Sequence, residues 1–299
     1  MPGRGAAVIL VPKLEHVLHG GRATVYDFAG EQAAATGGGG APPRALLLLE
    51  LPRWGVEYGA SRLLDLARAV APGEADLGQG RPVLVLPGFS AHDRFTGRLR
   101  GHLAQRGWDV HGWELGSNHG LTDKIVEGLP RRFAEIAERY DEPVSVVGWS
   151  FGGLLARWLA HEHPDRVRQV VCLGSPWRAE GERTRATALF ERSRAKHGIA
   201  GNARAIVDRL REPVPVPLTA VWSRSDGIVP WHGCTVDEQQ DPPAENVEVV
   251  SSHVGLVANP LVLAVVVDRL RQDPAAWTPF AWRALVPGAA AGAGAGVAS

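Results

Sequence analysis

The segment Val-Ser-Val-Val-Gly-Trp-Ser-Phe-Gly-Gly, residues 144–153, decides the fold. An apolar run at 144–147 leads into Gly-x-Ser-x-Gly, and a helix-favouring run follows at 154–163. A serine at such a sharp strand-to-helix turn has a strained backbone, and bulky side chains at the flanking glycine positions would collide with the neighbouring strand and helix. The helix N-terminus directs N–H groups at the serine, which suits a developing oxyanion. The segment therefore predicts that Ser150 is a nucleophile, with a purely structural Gly-rich turn as the alternative.

Two further polar groups follow predicted strands. Asp226 comes after the apolar run 218–222, and His253 comes after the run 247–250. In an open α/β sheet, ligand and catalytic groups collect outside the carboxyl ends of the strands. The order Ser, Asp, His along the chain is the one expected when a serine at a strand-to-helix turn is a nucleophile. We therefore predict that His253 takes the proton of Ser150 and that Asp226 orients the imidazole.

A fourth element lies upstream, where the run 83–86 continues into Pro-Gly-Phe-Ser. We predict that the backbone N–H groups of Phe89 and Phe151 form an oxyanion hole, and Gly88 permits the turn. A plain Pro-Gly turn is the structural alternative. The aromatic side chains around these turns either form an acyl-binding wall or belong to the core: Phe89, Trp149, Phe151 and Trp177.

Residues 80–273 alternate β-rich and helical runs. Continuous apolar strands are typical of a parallel sheet covered on both faces, so the pattern predicts a doubly wound, mostly parallel α/β fold. Apolar residues at helical spacing predict a helix that Pro130 should start or kink, and Asn259-Pro260 predicts the start of a last helix through Leu270. The predicted strands are 83–86, 110–113, 144–147, 167–173, 218–222 and 247–250, and the helical stripe is Ile125, Leu129, Phe133, Ile136 and Tyr140.

The remaining segments divide the chain. Residues 1–79 are predicted to be an N-terminal extension, flexible through the Gly run 37–40 and helical over 44–72 with an interruption near Pro52. We expect this helix to pack on the main domain. A membrane-surface helix is the alternative, and it is less favoured because the polar side lacks a concentration of Lys and Arg. The predicted α/β domain is 80–273, and residues 176–212, which carry no strand signal, are predicted to be a helical lid insertion.

The C-terminal segment 274–299 is predicted to be a tail that ends in an Ala/Gly-rich stretch. The 299 residues suffice for one large α/β domain. Lys+Arg and Asp+Glu each number 32, so the basic excess typical of a nucleic-acid partner is absent. Cys172 and Cys234 have no neighbours at metal-ligand spacing. No run is long enough to span a bilayer, and the stretch 6–11 is too short for a secretion signal, so we expect a cytoplasmic protein.

Several segments together resemble the α/β-hydrolase superfamily, and in particular its bacterial esterase- and lipase-like members. The resemblance covers residues 80–272 and implies that fold, a Ser150–His253–Asp226 triad, an oxyanion hole, and hydrolysis of a small-molecule carboxylic ester or related acyl bond without metal or organic cofactor. An acyltransferase or thioesterase with the same triad, and a catalytically silent binding protein, are the alternatives. The segments are VLVLPGFSAHD, HGWELGSNHG, VSVVGWSFGG, VVCLGSPW, SRSDGIVP and SSHVGL.

Overall fold

The structure is a computed structural model that describes residues 42–69, 76–177, 192–193 and 195–282, without the side chains of 67–69. The predicted flexible segment before residue 42 and the Ala/Gly-rich end after 282 lie outside the described residues, and so does much of the predicted lid.

Six parallel strands form one sheet in the order β2-β1-β3-β4-β5-β6. The chain runs outward from β1 to β2, returns to the other side of β1 with β3, and then continues outward in the opposite direction. The carboxyl ends of β1 and β3 therefore flank the switch point, where α/β sheets bind their ligands. The strands are β1 (Pro82–Leu86), β2 (Asp109–Gly112), β3 (Val144–Trp149), β4 (Val167–Leu173), β5 (Leu218–Trp222) and β6 (Ala244–Glu248).

Helices cover both faces of the sheet, which confirms the predicted doubly wound α/β architecture. Alternate residues of one strand enter opposite cores: Leu84 packs with Phe133 and Leu155, whereas Val83 packs with Leu99 and Val262. The helices are α1 (Arg44–Leu48), α2 (Glu50–Ala69), α3 (Gly97–Ala104), α4 (Asp123–Ala137), α5 (Phe151–Glu162), α6 (Ala203–Arg209) and α7 (Pro260–Arg271).

Four of the six predicted strands have different boundaries in the structure: β1 begins one residue earlier, β3 ends two residues later, and β2 and β6 are shifted along the chain. β2 ends at Gly112, because the next backbone N–H, that of Trp113, bonds to a side-chain oxygen of Asp93 at 3.1 Å. β6 begins at Ala244, three positions before the predicted start, because its polar residues have buried partners. Glu245 accepts from Thr219 at 2.9 Å and from Arg269 at 2.8 Å. The first half of β6 was missed because polar residues are uncommon in buried strands.

The helix predictions also needed correction at proline and glycine. α4 begins at Asp123 and continues through Pro130, so this proline does not start the helix, and Tyr140 lies beyond its end. The helix after Ser150 begins at Phe151 and includes Gly152. The predicted Asn259 cap of α7 is confirmed, because its side chain accepts from the N–H of Leu261 at 2.9 Å.

The N-terminal helical segment is broken at Leu49, between α1 and α2, and not at Pro52. Pro52 lies in the first turn of α2, where N–H groups have no partner within the helix, so a proline is tolerated. α2 lies on the domain against the turn Val254–Val257 and α7, as expected of a packed helix. Within the described stretches, no helix has both the length and the apolar character needed to cross a membrane.

Candidate active site

Ser150 lies between the end of β3 and the first residue of α5, with φ 54° and ψ −123°. A positive φ at a non-glycine residue costs about 1–3 kcal/mol and persists only where surrounding structure imposes it. That structure includes the N–H of Ser150 itself, which donates to the carbonyl of Leu173 at 2.8 Å. The strained turn places the Ser150 side chain within hydrogen-bonding distance of His253.

The two glycines of the motif are required by close backbone approaches. A side-chain carbon at Gly148 would collide with the backbone of Gly152, and one at Gly152 would collide with the carbonyl of Leu86 in β1. These approaches let α5 begin directly over the sheet. A side chain at either position would push α5 away from the sheet and displace the backbone of Ser150. The positions of the two glycines relative to Ser150 are therefore required by this turn.

His253 and Asp226 reach Ser150 from neighbouring loops. Ser150 Oγ lies 3.0 Å from His253 Nε2, and His253 Nδ1 lies 2.6 Å from Asp226 Oδ2. The other carboxylate oxygen, Oδ1, accepts the backbone N–H groups of Ile228 at 2.8 Å and Val229 at 2.7 Å. With Asp226 ionised, the imidazole donates from Nδ1 and accepts the Ser150 hydroxyl at Nε2. The structure thus brings together the three residues that the sequence singled out.

The charges around His253 favour its protonated form. Burial opposes protonation, but the carboxylate of Asp226, its hydrogen bond and the charge of Glu50 outweigh that effect, so the pKa of His253 is raised. The same interactions that raise this pKa stabilise the imidazolium that would form when the histidine takes a proton. It also means that a higher pH is needed to keep the imidazole neutral as a base.

Glu50 is a site residue that the sequence analysis missed. Its side chain is only 3% exposed, and its Oε1 accepts the N–H of Gly227 at 2.7 Å and that of His253 at 3.0 Å. Its Oε2 accepts the N–H of Val254 at 3.1 Å. One carboxylate at the start of α2 therefore joins the loop of Asp226 to the loop of His253.

Glu57 repeats this arrangement two helical turns further along α2. It accepts the N–H of Ser252 at 2.8 Å and the side-chain hydroxyl of Ser252 at 2.5 Å, and it also bonds to Asn259. The seven-residue spacing of Glu50 and Glu57 among leucines was a readable signal, because positions seven apart share a helix face. The sequence did not reveal which partners that face would meet.

The loop after β1 lies against the nucleophile. A side-chain carbon at Gly88 would approach Cβ of Ser150 to 3.1 Å, and the rings of Phe89 and Phe151 meet edge to face with centroids 6.1 Å apart. Buried Asn118 holds this loop, since its Nδ2 donates to Pro87 at 2.8 Å. The carbonyl of Asn118 also takes the N–H of Ser90 at 2.7 Å, so that amide is already engaged.

The two tryptophans predicted for a substrate wall have different surroundings. Trp149 is 6% exposed, and its indole N–H donates to the carbonyl of His253 at 3.0 Å, so it supports the histidine loop from within the core. Trp177 is partly buried, donates to the carbonyl of Thr235 at 2.7 Å, and lies under the guanidinium of Arg157. A role in substrate binding stays a prediction for both.

Both cysteines are buried. Burial raises the pKa of the Cys172 thiol to about 11, which disfavours the reactive thiolate. Cys234 lies in the short helical turn Trp231–Cys234 and is 3% exposed. Ser150 is thus the group with an adjacent base.

The pH dependence of any activity that uses His253 as a base follows from its raised pKa. We expect kcat/KM for a small ester to rise with pH through a midpoint above the ordinary histidine value of about 6.5, because only the neutral imidazole accepts a proton. Glu50→Gln removes a negative charge that raises this pKa, so it should move the midpoint to lower pH.

The matched control is Glu57→Gln, which also loosens the histidine loop, but whose carboxylate bonds to Ser252 and Asn259 and not to the backbone of His253. We expect it to lower activity without moving the midpoint of the pH profile. Equal shifts in the two variants would show that Glu50 acts only by supporting the backbone.

Comparison with known proteins agrees with this architecture. The family model for the α/β-hydrolase fold matches residues 81–192. The chain is 36% identical over 104 residues to the pimeloyl-[acyl-carrier protein] methyl ester esterase of Chromobacterium violaceum, a match covering 33% of this chain and 39% of that enzyme. It is 32% identical over 98 residues to the esterase of the same name from Nitrosomonas europaea, covering 33% and 38%. The matches thus span well under half the length of these curated relatives.

Solved structures show the same fold. Lipase B of Aspergillus fumigatus superimposes with a TM-score of 0.53 at 20% identity, covering 68% of this chain and 56% of the lipase. A metagenome-derived lipolytic enzyme, described with LipS and LipT, gives a TM-score of 0.50 at 19% identity, covering 65% of this chain and 94% of its own. Sheet order, strand-to-helix turn and these similarities all lead to one fold.

Proposed function

We propose that the chain is a serine hydrolase of the α/β-hydrolase superfamily that cleaves carboxylic esters through an acyl-serine intermediate. The observation that carries the proposal is the hydrogen-bonded series from Ser150 through His253 to Asp226, at 3.0 and 2.6 Å, built on a strained turn. A nucleophile within reach of a base, which is itself oriented by a third group, is the general signature of covalent catalysis.

In the proposed reaction, Nε2 of His253 takes the proton of Ser150, and Oγ attacks the acyl carbon. The carbonyl oxygen becomes an oxyanion, and Asp226 stabilises the imidazolium. Collapse of the tetrahedral intermediate breaks the ester C–O bond, and the leaving alcohol receives the proton from His253. A water molecule then attacks the acyl-serine by the same route, which releases the acid and restores Ser150.

The backbone N–H groups of Phe89 and Phe151 are the proposed oxyanion donors. The approach of Gly88 to Ser150 supports this choice for the loop after β1, and the position of Phe151 as first residue of α5 supports it for the helix. The amide of Ser90 is the less suitable neighbour because it already donates to Asn118.

Backbone and side-chain contributions of Phe89 can be separated. Phe89→Ala keeps the N–H, so we expect kcat for a small ester to stay within about tenfold of the parent enzyme. Phe89→Pro removes the N–H, and we expect a loss of about 10²–10³ in kcat. Steady-state kinetics with p-nitrophenyl acetate would measure both.

Because proline also restricts Gly88, the Phe89→Pro variant must keep a melting temperature close to that of Phe89→Ala. A well-folded proline variant with nearly normal kcat would remove Phe89 from the oxyanion hole.

A panel of p-nitrophenyl esters of increasing acyl length, together with a methyl ester and a thioester, tests the proposed activity. The names of the curated relatives make a methyl ester the natural addition to the panel. We expect release of free acid from oxygen esters. Preferential thioester cleavage, or transfer of the acyl group to an added alcohol, would favour a thioesterase or an acyltransferase. A chain with no turnover on the whole panel would instead be a silent binding protein.

A further inference from the structure

The N-terminal helices α1 and α2 present most of their apolar side chains to solvent. Leu48, Leu51, Val56 and Leu63 are 78%, 69%, 73% and 68% exposed, which is unusual for such large groups in one continuous helical segment. We call this surface the outer face. Its members are Leu47, Leu48, Leu49, Leu51, Trp54, Val56, Tyr58, Leu63, Leu64 and Leu66.

Most of the charged side chains of α2 turn toward the protein, and Arg62 is the exception. Besides Glu50 and Glu57, Arg53 donates to the carbonyl of Ser225 at 2.6 Å, and Asp65 pairs with Arg98 at 2.5 Å. A helix on the surface of a water-soluble domain normally has the opposite orientation, with apolar residues inward. These polar bonds hold α2 so that it cannot rotate to bury its leucines.

The charges on this surface indicate what it meets. Among the described side chains of residues 44–66, the exposed charged groups are Arg44 and Arg62, while the three carboxylates point inward. Trp54 and Tyr58 lie together on the outer face, with ring centroids 5.7 Å apart, and these two residue types are enriched at membrane–water interfaces. Arginine is well suited to phosphate groups.

We propose that the outer face docks on an anionic lipid surface, with its leucines among the acyl chains and Arg44 and Arg62 at the phosphate groups. The inference concerns where the protein binds and does not depend on the reaction proposed above.

A second copy of the chain fits this surface less well. A two-fold contact between outer faces would bring Arg44 and Arg62 of one copy against the same arginines of the other. No exposed carboxylate on the described 44–66 segment would compensate that repulsion. A lipid bilayer with anionic headgroups offers acyl chains to the apolar side chains and negative charge to Arg44 and Arg62.

Co-sedimentation of the full chain with vesicles tests the proposal. We expect strong partition onto vesicles of equal parts phosphatidylglycerol and phosphatidylcholine, and weaker partition onto phosphatidylcholine alone. The triple variant Leu48→Gln, Leu51→Gln, Leu63→Gln should lose at least about tenfold in partition, because exposed apolar groups insert into the interface. Arg44→Gln and Arg62→Gln should each lose about fivefold on the anionic vesicles only.

The control replaces three exposed apolar residues elsewhere, Ile199, Val207 and Leu261, which are 45%, 36% and 44% exposed, by Gln, and it should bind vesicles like the parent protein. Both triple variants should keep the parent melting temperature, since the altered side chains are exposed. Equal partition onto neutral and anionic vesicles, or absence of binding to both, would overturn the proposal. A solution dimer that only the outer-face variant dissociates would assign the surface to a second copy instead.

Discussion

Ser150→Ala is expected to lower kcat for a small ester by a factor on the order of 10⁶ and to abolish labelling by a fluorophosphonate probe. Labelling forms a bond from Ser150 Oγ to phosphorus and expels fluoride, and alanine has no atom that can do this. The remaining turnover would come from binding and oxyanion stabilisation alone. The fold should persist, because alanine occupies the same turn and leaves the flanking glycines in place.

Ser90→Ala is the matched control, since Ser90 lies in the neighbouring loop, also has a positive φ of 62°, and holds that loop through its backbone N–H rather than its hydroxyl. It should keep probe labelling and most of kcat. Persistent labelling of Ser150→Ala at normal intensity would move the nucleophile elsewhere, with Ser90 and Cys234 as the next residues to replace.

Asp226→Asn is expected to fold and to lose about 10⁴ in kcat. The structure determines how the new amide would lie. Its oxygen must stay where Oδ1 accepts from Ile228 and Val229, so its NH₂ group would face Nδ1 of His253. The imidazole would then accept at Nδ1 and carry its proton on Nε2, where it cannot take the proton of Ser150.

The controls are Asp123→Asn and Asp208→Asn, at exposed carboxylates on α4 and α6 that touch none of the three site residues. Both should keep nearly full activity. If Asp226→Asn retained more than about a tenth of kcat while Asp123→Asn and Asp208→Asn were normal, Asp226 would not be the acid of this site.

Short stretches of sequence were sufficient to predict the features that depend mainly on neighbouring residues. A β-rich run, Gly-x-Ser-x-Gly and a helical run together predict the turn at Ser150, since the clashes at Gly148 and Gly152 lie within a few residues of the serine or on the adjacent strand. Alternating strands and helices predict a parallel sheet, and a parallel sheet places the carboxyl ends of β5 and β6 at the same edge as the carboxyl end of β3. The fold class is confirmed, and the roles of Asp226 and His253 stay predictions with a geometry that suits them.

The predicted boundaries of strands and helices were wrong where polar residues or prolines are held by contacts with distant parts of the chain. Glu245 reads as a poor strand residue, yet it is buried with Thr219 and Arg269 in the folded chain. Pro130 reads as a helix start or kink, and α4 continues through it, with Leu129 and Phe133 on either side of the proline packed in the core. Propensity is a weak guide at such positions because tertiary packing can override it.

Patterns along the chain predicted the parallel sheet and the strained turn, and they singled out Ser150, His253 and Asp226 as candidates, because each of these signals lies in one strand and the loop that follows it. The role of α2, by contrast, depends on contacts between parts of the chain that are far apart in sequence. Glu50 meets the backbone of Gly227 and Val254 across separations of 177 and 204 residues, which no local pattern encodes. Because these buried N–H groups donate to a carboxylate of α2, the polar side of α2 faces the protein. Its leucines therefore face solvent.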